Sequence, residues 1–424
     1  MTDGFVRRDG TLWCEGVPLP LVAEQVGTPT YVYSASIIRQ RVAWLSSALT
    51  DVPHRIHYAL KANATHGVLQ VLRDAGVGAD VVSGGELHRA RRAGFAPADI
   101  VFDGPGKTTG EIREAIAAGV KVLNIESMGE AVRIAETAAA MGRVADVGLR
   151  INPEVTVENF HEYISTGEAG DKFGIPYHDA MAVAAWVVAQ PSLRLVGLHM
   201  HVGSMLYGFD AFGAAIEKLA VLIDRIREAH GSAAITMLDL GGGLPVAYAD
   251  GDETANLDGY AETVRRAHAR TGCTILLEPG RLLVAEAGVL LSRVLYRKRS
   301  GGREYVIVDA AMTELIRPSL YDAHHEITAV HERPGAMRAD VVGPVCESGD
   351  FFAHDRDVAP VEPDDLVVLE TAGAYGAVMS SNYNARPRAA EVLVDGDRFA
   401  VVRHRETYDD LVRLEDETPS WRPV

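Results

Sequence analysis

Short β-rich segments alternate with amphipathic helical segments from about residue 55 to residue 281. The helical segments, such as 108–119 and 211–229, carry apolar residues at three- and four-residue spacing, as helices with one buried face do. Eight strands are predicted, at 55–60, 78–83, 99–104, 121–126, 145–152, 193–201, 235–241 and 274–279. Eight strand–helix units favour an α/β fold with a TIM-like (β/α)8 barrel, and a doubly wound open sheet is the alternative.

The pattern changes after residue 281, where β-rich segments follow one another without regular helices between them, at 303–312, 325–332, 339–347, 365–371 and 388–404. Two Asp-Gly pairs, Asp9-Gly10 and Asp395-Gly396, suit the positive φ angles of a tight hairpin turn. We therefore expect a barrel domain over 38–283. A second, all-β domain (barrel- or sandwich-like) is expected over 284–424, completed by the N-terminal segment 1–37.

Composition narrows the function classes. The formal net charge of −17 would repel phosphate backbones, so no nucleic-acid partner is expected. The three cysteines, Cys14, Cys273 and Cys346, are far apart and suit a reducing compartment. No apolar run approaches the ~18 residues of a membrane span, and the N-terminus lacks the apolar core of a signal peptide. A cytoplasmic protein with no membrane partner and no metal site is predicted.

One connection is unusually long for a barrel, the stretch NPEVTVENFHEYISTGEAGDKFGIP between the fifth predicted strand and the next helix. Long loops of this kind tend to line active sites. A surface insertion without functional consequence is an equal alternative.

Polar and glycine-rich motifs occur where the predicted barrel strands end, on the edge that carries the active sites of barrel enzymes. Lys61 ends the first strand, Asp80 lies on the second and HMHVGS (199–204) ends the sixth. Three glycines (241–243) follow the seventh strand, and EPGR (278–281) follows the eighth. Each motif alone has a plain structural explanation, as a solvated charge, a core histidine or a tight turn. Together, at one edge of one barrel, they indicate a site.

Pyridoxal 5′-phosphate (PLP) chemistry needs residues of these types: a lysine amine for a Schiff base, a cradle for the phosphate and a partner for the pyridine nitrogen. Lys61 supplies the amine. The glycine run lets backbone N–H groups approach a phosphate closely, and Ser204 adds a hydroxyl donor. Glu278 would keep the pyridine nitrogen protonated, and His201 would lie against the ring. PLP is therefore the predicted cofactor.

The chain resembles the fold-type III PLP decarboxylases, a barrel-plus-β-domain family that includes ornithine, arginine and diaminopimelate decarboxylases. The matching motifs occur in the family's order along nearly the whole chain. They are YALKAN (58–63), DVVSGGEL (80–87), FDGPGK (102–107), HMHVGS (199–204), LDLGGG (238–243), EPGR (278–281), GPVCESGD (343–350) and GAY (373–375). Shared ancestry explains so many ordered motifs better than convergence does.

The resemblance implies a role for each motif. Lys61 is the Schiff-base lysine, Glu278 the pyridine-nitrogen partner and His201 the histidine stacked on the ring. Cys346 is the acid that protonates the substrate carbon after CO₂ leaves. It acts from the neighbouring subunit of a homodimer whose active sites are shared across the interface. Further contacts to the cofactor, its phosphate and the substrate come from Asp80, Ser204, Gly241, Gly242, Gly243, Gly280, Arg281 and Tyr375.

Several stretches are most similar to family members that decarboxylate meso-2,6-diaminopimelate to L-lysine, among them 161–167, 310–327 and 379–396. Residues that match the family's binding set for this amino-acid substrate are Arg281, Arg317 and Tyr321 for a carboxylate and Glu347 for the distal amine. Arginine suits bidentate carboxylate recognition, whereas decarboxylases of simple diamine precursors place an acid at the distal end. Arg317 is therefore the discriminating residue.

Two departures from the family pattern bear on substrate specificity: Met205 replaces the usual glutamine, and HEYISTG (161–167) replaces HPYISTG. A relative acting on ornithine, arginine, a carboxylated polyamine or a carrier-bound amino acid is one alternative. A non-catalytic PLP carrier or an inactive regulatory homologue is another. The presence of Lys61, Glu278 and Cys346 argues against this second alternative.

Overall fold

The computed structural model describes residues 4–155, 170, 172–231 and 234–422. The described residues divide into two compact units, one from Met1–Ser34 with Gly288–Val424 and the other from Ala35–Ala287. The first segment of the chain contributes β1 (Phe5–Arg8), β2 (Thr11–Cys14), β3 (Val17–Pro18), α1 (Leu19–Val26) and β4 (Thr30–Ser34).

The unit Ala35–Ala287 is a closed barrel of eight parallel strands, preceded by α2 (Ala35–Ser47). Its described strands are β5 (His54–Ala59), β6 (Gly78–Val81), β7 (Ile100–Phe102), β8 (Val122–Ile125), β9 (Ala145–Asn152), the two-residue addition β10 (Ile175–Pro176), β11 (Leu193–His199), β12 (Met237–Asp239) and β13 (Thr274–Leu277). β13 pairs with β5, and β8 pairs with β9, so the sheet has closed on itself. The predicted (β/α)8 barrel is confirmed, and the open sheet is excluded.

Helices follow the strands around the barrel. They are α3 (His66–Asp74), α4 (Gly84–Arg92), α5 (Thr109–Ala118), α6 (Met128–Ala140), α7 (Ala180–Val188), α8 (Asp210–His230), α9 (Leu257–Thr271) and α10 (Arg281–Val284). Ser83, Thr108 and Ser127 each accept a hydrogen bond from the N–H three residues later, and Thr108 forms a reciprocal capping box with Glu111. These caps fix the point at which a strand end passes into its helix.

The rest of the other unit is β-rich, as expected. It contains β14 (Gly288–Ser300), β15 (Arg303–Val308), α11 (Arg317–Tyr321), β16 (Ile327–Ala329), β17 (Met337–Val342), β18 (Phe351–Val358), β19 (Leu366–Leu369), β20 (Ala390–Asp395), β21 (Arg398–Arg403) and α12 (Tyr408–Val412). β4, from the N-terminal segment, pairs with both β14 and β20 and therefore lies between them in this sheet. Both predicted hairpins form, with positive φ at Asp9, Gly10 and Gly396.

No helix among the described residues is both long enough and apolar enough to cross a membrane.

Candidate active site

Lys61 lies in the 3-10 turn Leu60–Ala62 that directly follows β5. Its Nζ donates a hydrogen bond to Asp80 Oδ2 at 2.9 Å, and its side chain remains 39% exposed. Asp80 is fully buried on β6, and burial raises its pKa to about 7 despite the opposing charge of Lys61. Asp80 Oδ1 has no hydrogen-bond partner among the described residues. The pair thus presents an accessible amine that is held in place by a buried carboxyl group.

The glycine run 241–243 packs its backbone against two neighbouring strand ends. A Cβ atom on Gly242 would lie 2.3 Å from the carbonyl oxygen of Glu278. One on Gly243 would lie 2.4 Å from the carbonyl oxygen of the residue before Ser204, and Gly243 also has a φ of 114° that favours glycine. The run is therefore a cradle in which only glycine fits, with its main chain open to close approach.

The cradle also orients His201. The N–H of Gly242 donates to His201 Nδ1 at 3.3 Å, so this ring nitrogen acts as the acceptor. Loss of solvation lowers the pKa of His201 well below its ordinary value, and the positive charge of Lys61 lowers it further. The imidazole is therefore neutral at physiological pH. A neutral ring suits stacking on a cofactor that carries its own positive charge.

The motif after β13 completes this edge of the barrel. Gly280 approaches the turn that bears the predicted catalytic lysine so closely that an added Cβ would lie 3.1 Å from the Cβ of Ala62. Arg281 begins α10, and its Nη1 donates to the hydroxyl of Tyr248 at 2.6 Å. The guanidinium is thereby held at the carboxyl ends of the strands, where it can pair with an anion.

Glu278 itself points into a buried cluster. It is 4% exposed, and its Oε2 lies 3.3 Å from His199 Nε2. His199 Nδ1 lies 3.8 Å from Asp103 Oδ1, which accepts a 2.6 Å hydrogen bond from Asn124 Nδ2. Burial and the charge of Asp103 raise the pKa of Glu278. Burial is the largest single influence on the pKa of Asp103 and raises it, but His199, a side-chain hydrogen bond with Glu278 and the charges of Arg150 and Lys61 together make the net shift downward.

The sequence assigns no individual role to Asp103 or His199, although His199 belongs to the HMHVGS motif and Asp103 to the FDGPGK motif. Both carried the signal that identified Lys61, a polar side chain at the end of a predicted strand. Their proximity to Glu278, with one atom of each lying within 4.8 Å of the others, is a property of the closed barrel. The sequence does not indicate which strand ends meet across the interior.

The barrel residues fit the predicted PLP. An exposed lysine amine is present, and the glycine cradle leaves no room for side chains where a phosphate must approach the backbone. Glu278 Oε1 is buried and has no hydrogen-bond partner among the described residues. A buried carboxylate oxygen without a partner is costly, and a protonated ring nitrogen is the kind of donor that would satisfy it.

Five other predicted site residues, Arg317, Tyr321, Cys346, Glu347 and Tyr375, belong to the β-rich unit. Arg317 begins α11, is 6% exposed, and its Nη1 donates to the His325 imidazole nitrogen Nε2 at 2.9 Å. The other ring nitrogen, Nδ1, lies 2.8 Å from the carbonyl oxygen of Glu370. Since a carbonyl only accepts, Nδ1 carries the proton and Nε2 receives the arginine N–H.

Cys346 and Glu347 are exposed on the segment between β17 and β18. The backbone N–H of Cys346 donates to Asn384 Oδ1 at 3.0 Å, which anchors the main chain and leaves the thiol accessible. Tyr375 has a φ of 56°, an uncommon conformation for a residue other than glycine. Such a conformation is typical of side chains held in a set direction at functional sites.

The stretch HEYISTG (161–167) and most of the predicted long connection lie outside the described residues. Met205, the other departure from the family pattern, is described and has a φ of 62°.

Comparison with known proteins places these residues in a family context. Residues 34–285 match the family model described as "Pyridoxal-dependent decarboxylase, pyridoxal binding domain". The chain is 47% identical over 420 residues to a diaminopimelate decarboxylase of Pseudomonas aeruginosa, covering 98% of this chain and 100% of that one. It is 44% identical over 415 residues to the diaminopimelate decarboxylase of Zymomonas mobilis, covering 97% and 98%.

Solved structures agree along nearly the whole length. The diaminopimelate decarboxylase of M. jannaschii in complex with L-lysine superposes with a TM-score of 0.92 at 33% identity, covering 98% of each chain. The Helicobacter pylori enzyme, also in complex with L-lysine, gives a TM-score of 0.89 at 38% identity, covering 94% of this chain and 99% of that one. Both the predicted fold and the predicted family resemblance are confirmed.

Proposed function

Because this chain belongs to the diaminopimelate decarboxylases of the pyridoxal-dependent decarboxylase family, we propose that its reaction takes place at the barrel edge around Lys61. The protein is a PLP-dependent carboxy-lyase that converts meso-2,6-diaminopimelate to L-lysine and CO₂. The convergence of the Lys61–Asp80 pair, the glycine cradle and buried Glu278 at one set of strand ends supports this location.

In this proposal the barrel residues hold PLP at three points. Lys61 supplies the amine that binds it covalently, the glycine run 241–243 and Ser204 receive its phosphate, and Glu278 pairs with its ring nitrogen. His201, neutral and oriented by the cradle, covers the ring face. When bound, PLP serves as the electron sink for the bonding electrons that remain on the substrate when CO₂ departs.

In this proposal Asp80 exchanges a proton with the amine of Lys61. The Asp80 carboxyl accepts a hydrogen bond from Lys61 Nζ at 2.9 Å, and its pKa of about 7 lets it exchange a proton with that nitrogen near neutral pH. Asp80 itself is completely buried, so solvent reaches the pair only from the side of Lys61. Asp80 therefore both orients the lysine amine and holds or returns its proton as substrate and product exchange at the cofactor.

We assign substrate recognition to Arg281, Arg317, Tyr321, Glu347 and Tyr375. The planar guanidinium of Arg317 can bind a carboxylate through two parallel hydrogen bonds, and Glu347 can pair with the distal ammonium group. Cys346, whose thiol is exposed, donates the proton that replaces CO₂. It acts in the active site of a second chain, so the enzyme is a homodimer in this proposal.

We also propose that the protein works in the cytoplasm. Its three cysteines, Cys14, Cys273 and Cys346, are unpaired in the structure, which suits a reducing compartment.

Release of CO₂ from meso-diaminopimelate, compared with ornithine and arginine, tests the assignment. A site built to bind a distal amino-carboxylate group should favour meso-diaminopimelate in kcat/KM by a factor on the order of 10⁴, because its buried polar groups stay unpaired with the other substrates. Lys61→Ala should remain folded, with no visible absorbance from bound cofactor and no turnover. A higher kcat/KM for an amino acid that lacks the distal carboxylate would contradict the proposal.

A further inference from the structure

Four polar side chains form a cluster inside the barrel, which we call the interior relay: Asn124, Asp103, His199 and Glu278. Asn124 lies on β8, Asp103 follows β7, His199 ends β11 and Glu278 follows β13. All four are between 1% and 4% exposed. At this degree of burial water cannot replace a missing partner, so each contact decides how the next group is oriented and charged.

We propose that Asp103, which lies against Glu278 directly and also contacts it through His199, is a positioning residue that fixes the Glu278 carboxyl group toward the ring nitrogen of PLP. The inference rests on the proposed function, in which Glu278 pairs with that nitrogen. Asp103 does not need to touch the cofactor for this role.

The arrangement of atoms supports this role. His199 has one carboxyl group facing each ring nitrogen, Asp103 at 3.8 Å from Nδ1 and Glu278 at 3.3 Å from Nε2. These are ion-pair distances, and neither nitrogen makes an aligned hydrogen bond within the described residues. The contact to His199 uses Oε2 of Glu278. Oε1 accepts no hydrogen bond among the described residues, although the carboxyl groups of Glu278 and Asp103 share a hydrogen bond when one of them is protonated. Oε1 is therefore the oxygen that a ring N–H of the cofactor would satisfy.

The far end of the relay is fixed by packing. Asn124 Nδ2 donates to Asp103 Oδ1 at 2.6 Å, and the amide oxygen of Asn124 points at Gly148 on β9. A Cβ atom at position 148 would lie 2.1 Å from that oxygen. Glycine at this position in the barrel wall therefore gives Asn124 the space that it needs to anchor Asp103.

Charge distribution distinguishes the two carboxyl groups. Other groups that contribute to the field at the relay are Asp80, Asp239, Lys61 and Arg150. Burial and the charges of Asp103 and Asp80 raise the pKa of Glu278, whereas the net effect at Asp103 lowers its pKa. The site thus favours the ionised form of Asp103. The ionised form of Glu278 is disfavoured unless a cationic partner, such as a protonated ring nitrogen, pairs with it.

The test compares the wild-type protein with three variants, Asp103→Asn, Gly148→Ala and Glu278→Gln, each as apoenzyme and loaded with PLP. Asp103→Asn keeps the shape of the side chain and removes its charge, and Gly148→Ala displaces Asn124 from a position remote from the cofactor. Asp340→Asn, at a buried aspartate on β17, is the matched control. The readouts are the Kd for PLP from titration of each apoenzyme, and the ¹⁵N chemical shift of the ring nitrogen in protein loaded with ¹⁵N-labelled PLP.

We expect Asp103→Asn to raise the Kd about tenfold, as for loss of one charge-assisted contact, and to shift the ¹⁵N signal toward the unprotonated ring. Gly148→Ala should shift the signal in the same direction, and Asp340→Asn should leave it unchanged. If Glu278→Gln moves the signal but Asp103→Asn does not, the relay is refuted while the pairing of Glu278 stands. If Glu278→Gln itself leaves the signal unchanged, the proposed role of Glu278 is wrong. Should Gly148→Ala fail to fold, the isosteric Asp103→Asn still decides the question.

Discussion

Substitution of Gly242 by alanine should disrupt cofactor binding through the main chain alone. The added Cβ would lie 2.3 Å from the carbonyl oxygen of Glu278, and this neighbour is backbone that cannot rotate away. The two strand ends must separate by about 1 Å to reach ordinary van der Waals contact. Overpacking of this kind typically destabilises a protein by about 1–3 kcal/mol. The same shift moves the N–H that orients His201.

Displacement of about 1 Å in positioning groups costs on the order of 100-fold in function. We therefore expect the Kd of Gly242→Ala for PLP to rise about 100-fold, measured by titration of the apoenzyme and followed by visible absorbance. Gly213→Ala is the matched control: Gly213 lies in α8 with no atom within 4 Å of its added Cβ. It should gain stability by up to about 1 kcal/mol and bind PLP normally. Wild-type affinity in Gly242→Ala would refute the assignment of the glycine run as a cradle.

Three further predictions concern the other site residues. The folded-state pKa of Asp80, about 7, lies above its ordinary value of 3.8, so the folded apoenzyme holds an extra proton and loses stability as pH rises between these values. In thermal denaturation, Asp80→Asn should flatten this dependence of stability on pH. An unchanged dependence would contradict the assignment. Cys346→Ala should lower kcat by about 100-fold or more, the loss of one acid catalyst, with the Kd for PLP unchanged; an unchanged kcat would exclude Cys346 as the proton donor. Arg317→Lys should raise KM for meso-diaminopimelate about tenfold, because lysine cannot reproduce a bidentate contact, and steady-state kinetics that show only a lower kcat would point to a different role.

The barrel could be predicted from the sequence because its strands are short apolar runs, several of them followed by a polar or glycine-rich motif. The predicted and observed strand ends differ where the polar site residues begin. The sixth strand, predicted over 193–201, ends at His199 because the following residues turn into the site. β14 was not predicted. Its second half is rich in arginine and lysine, and it is a strand because β15 pairs with it and Glu304 accepts a 2.9 Å hydrogen bond from Arg297. This pairing is local, because β14 and β15 flank the turn Gly301-Gly302, in which both glycines have a positive φ. That Gly-Gly pair is the signal from which the hairpin could have been predicted.

The site was predictable to the same extent and for the same reason. Lys61 and the EPGR motif could be identified because strand order alone places all carboxyl ends on one edge of a parallel barrel. The roles of Asp103 and Gly148 could not be predicted, although Asp103 has the same strand-end position as Lys61. They depend on the 3.8 Å distance between Asp103 and His199, and on the lack of space for a Cβ at position 148, which would lie 2.1 Å from the Asn124 amide oxygen. Closure of the sheet fixes those distances, and neither residue type at its position implies a catalytic role.

Glu278 connects the two parts of the site. Its backbone N–H donates to the carbonyl oxygen of Gly241 at 2.8 Å, and its own carbonyl oxygen occupies the space that a side chain at Gly242 would need. Its side chain meanwhile contacts His199 in the interior relay. The main chain of one residue thus belongs to the phosphate cradle, and its carboxyl group belongs to the charge network of the ring nitrogen. A shift in the cradle must move the charge network, and the reverse, because Glu278 belongs to both. Gly242→Ala and Asp103→Asn should therefore perturb the same ¹⁵N signal of the ring nitrogen, even though the first acts by steric displacement and the second by loss of charge.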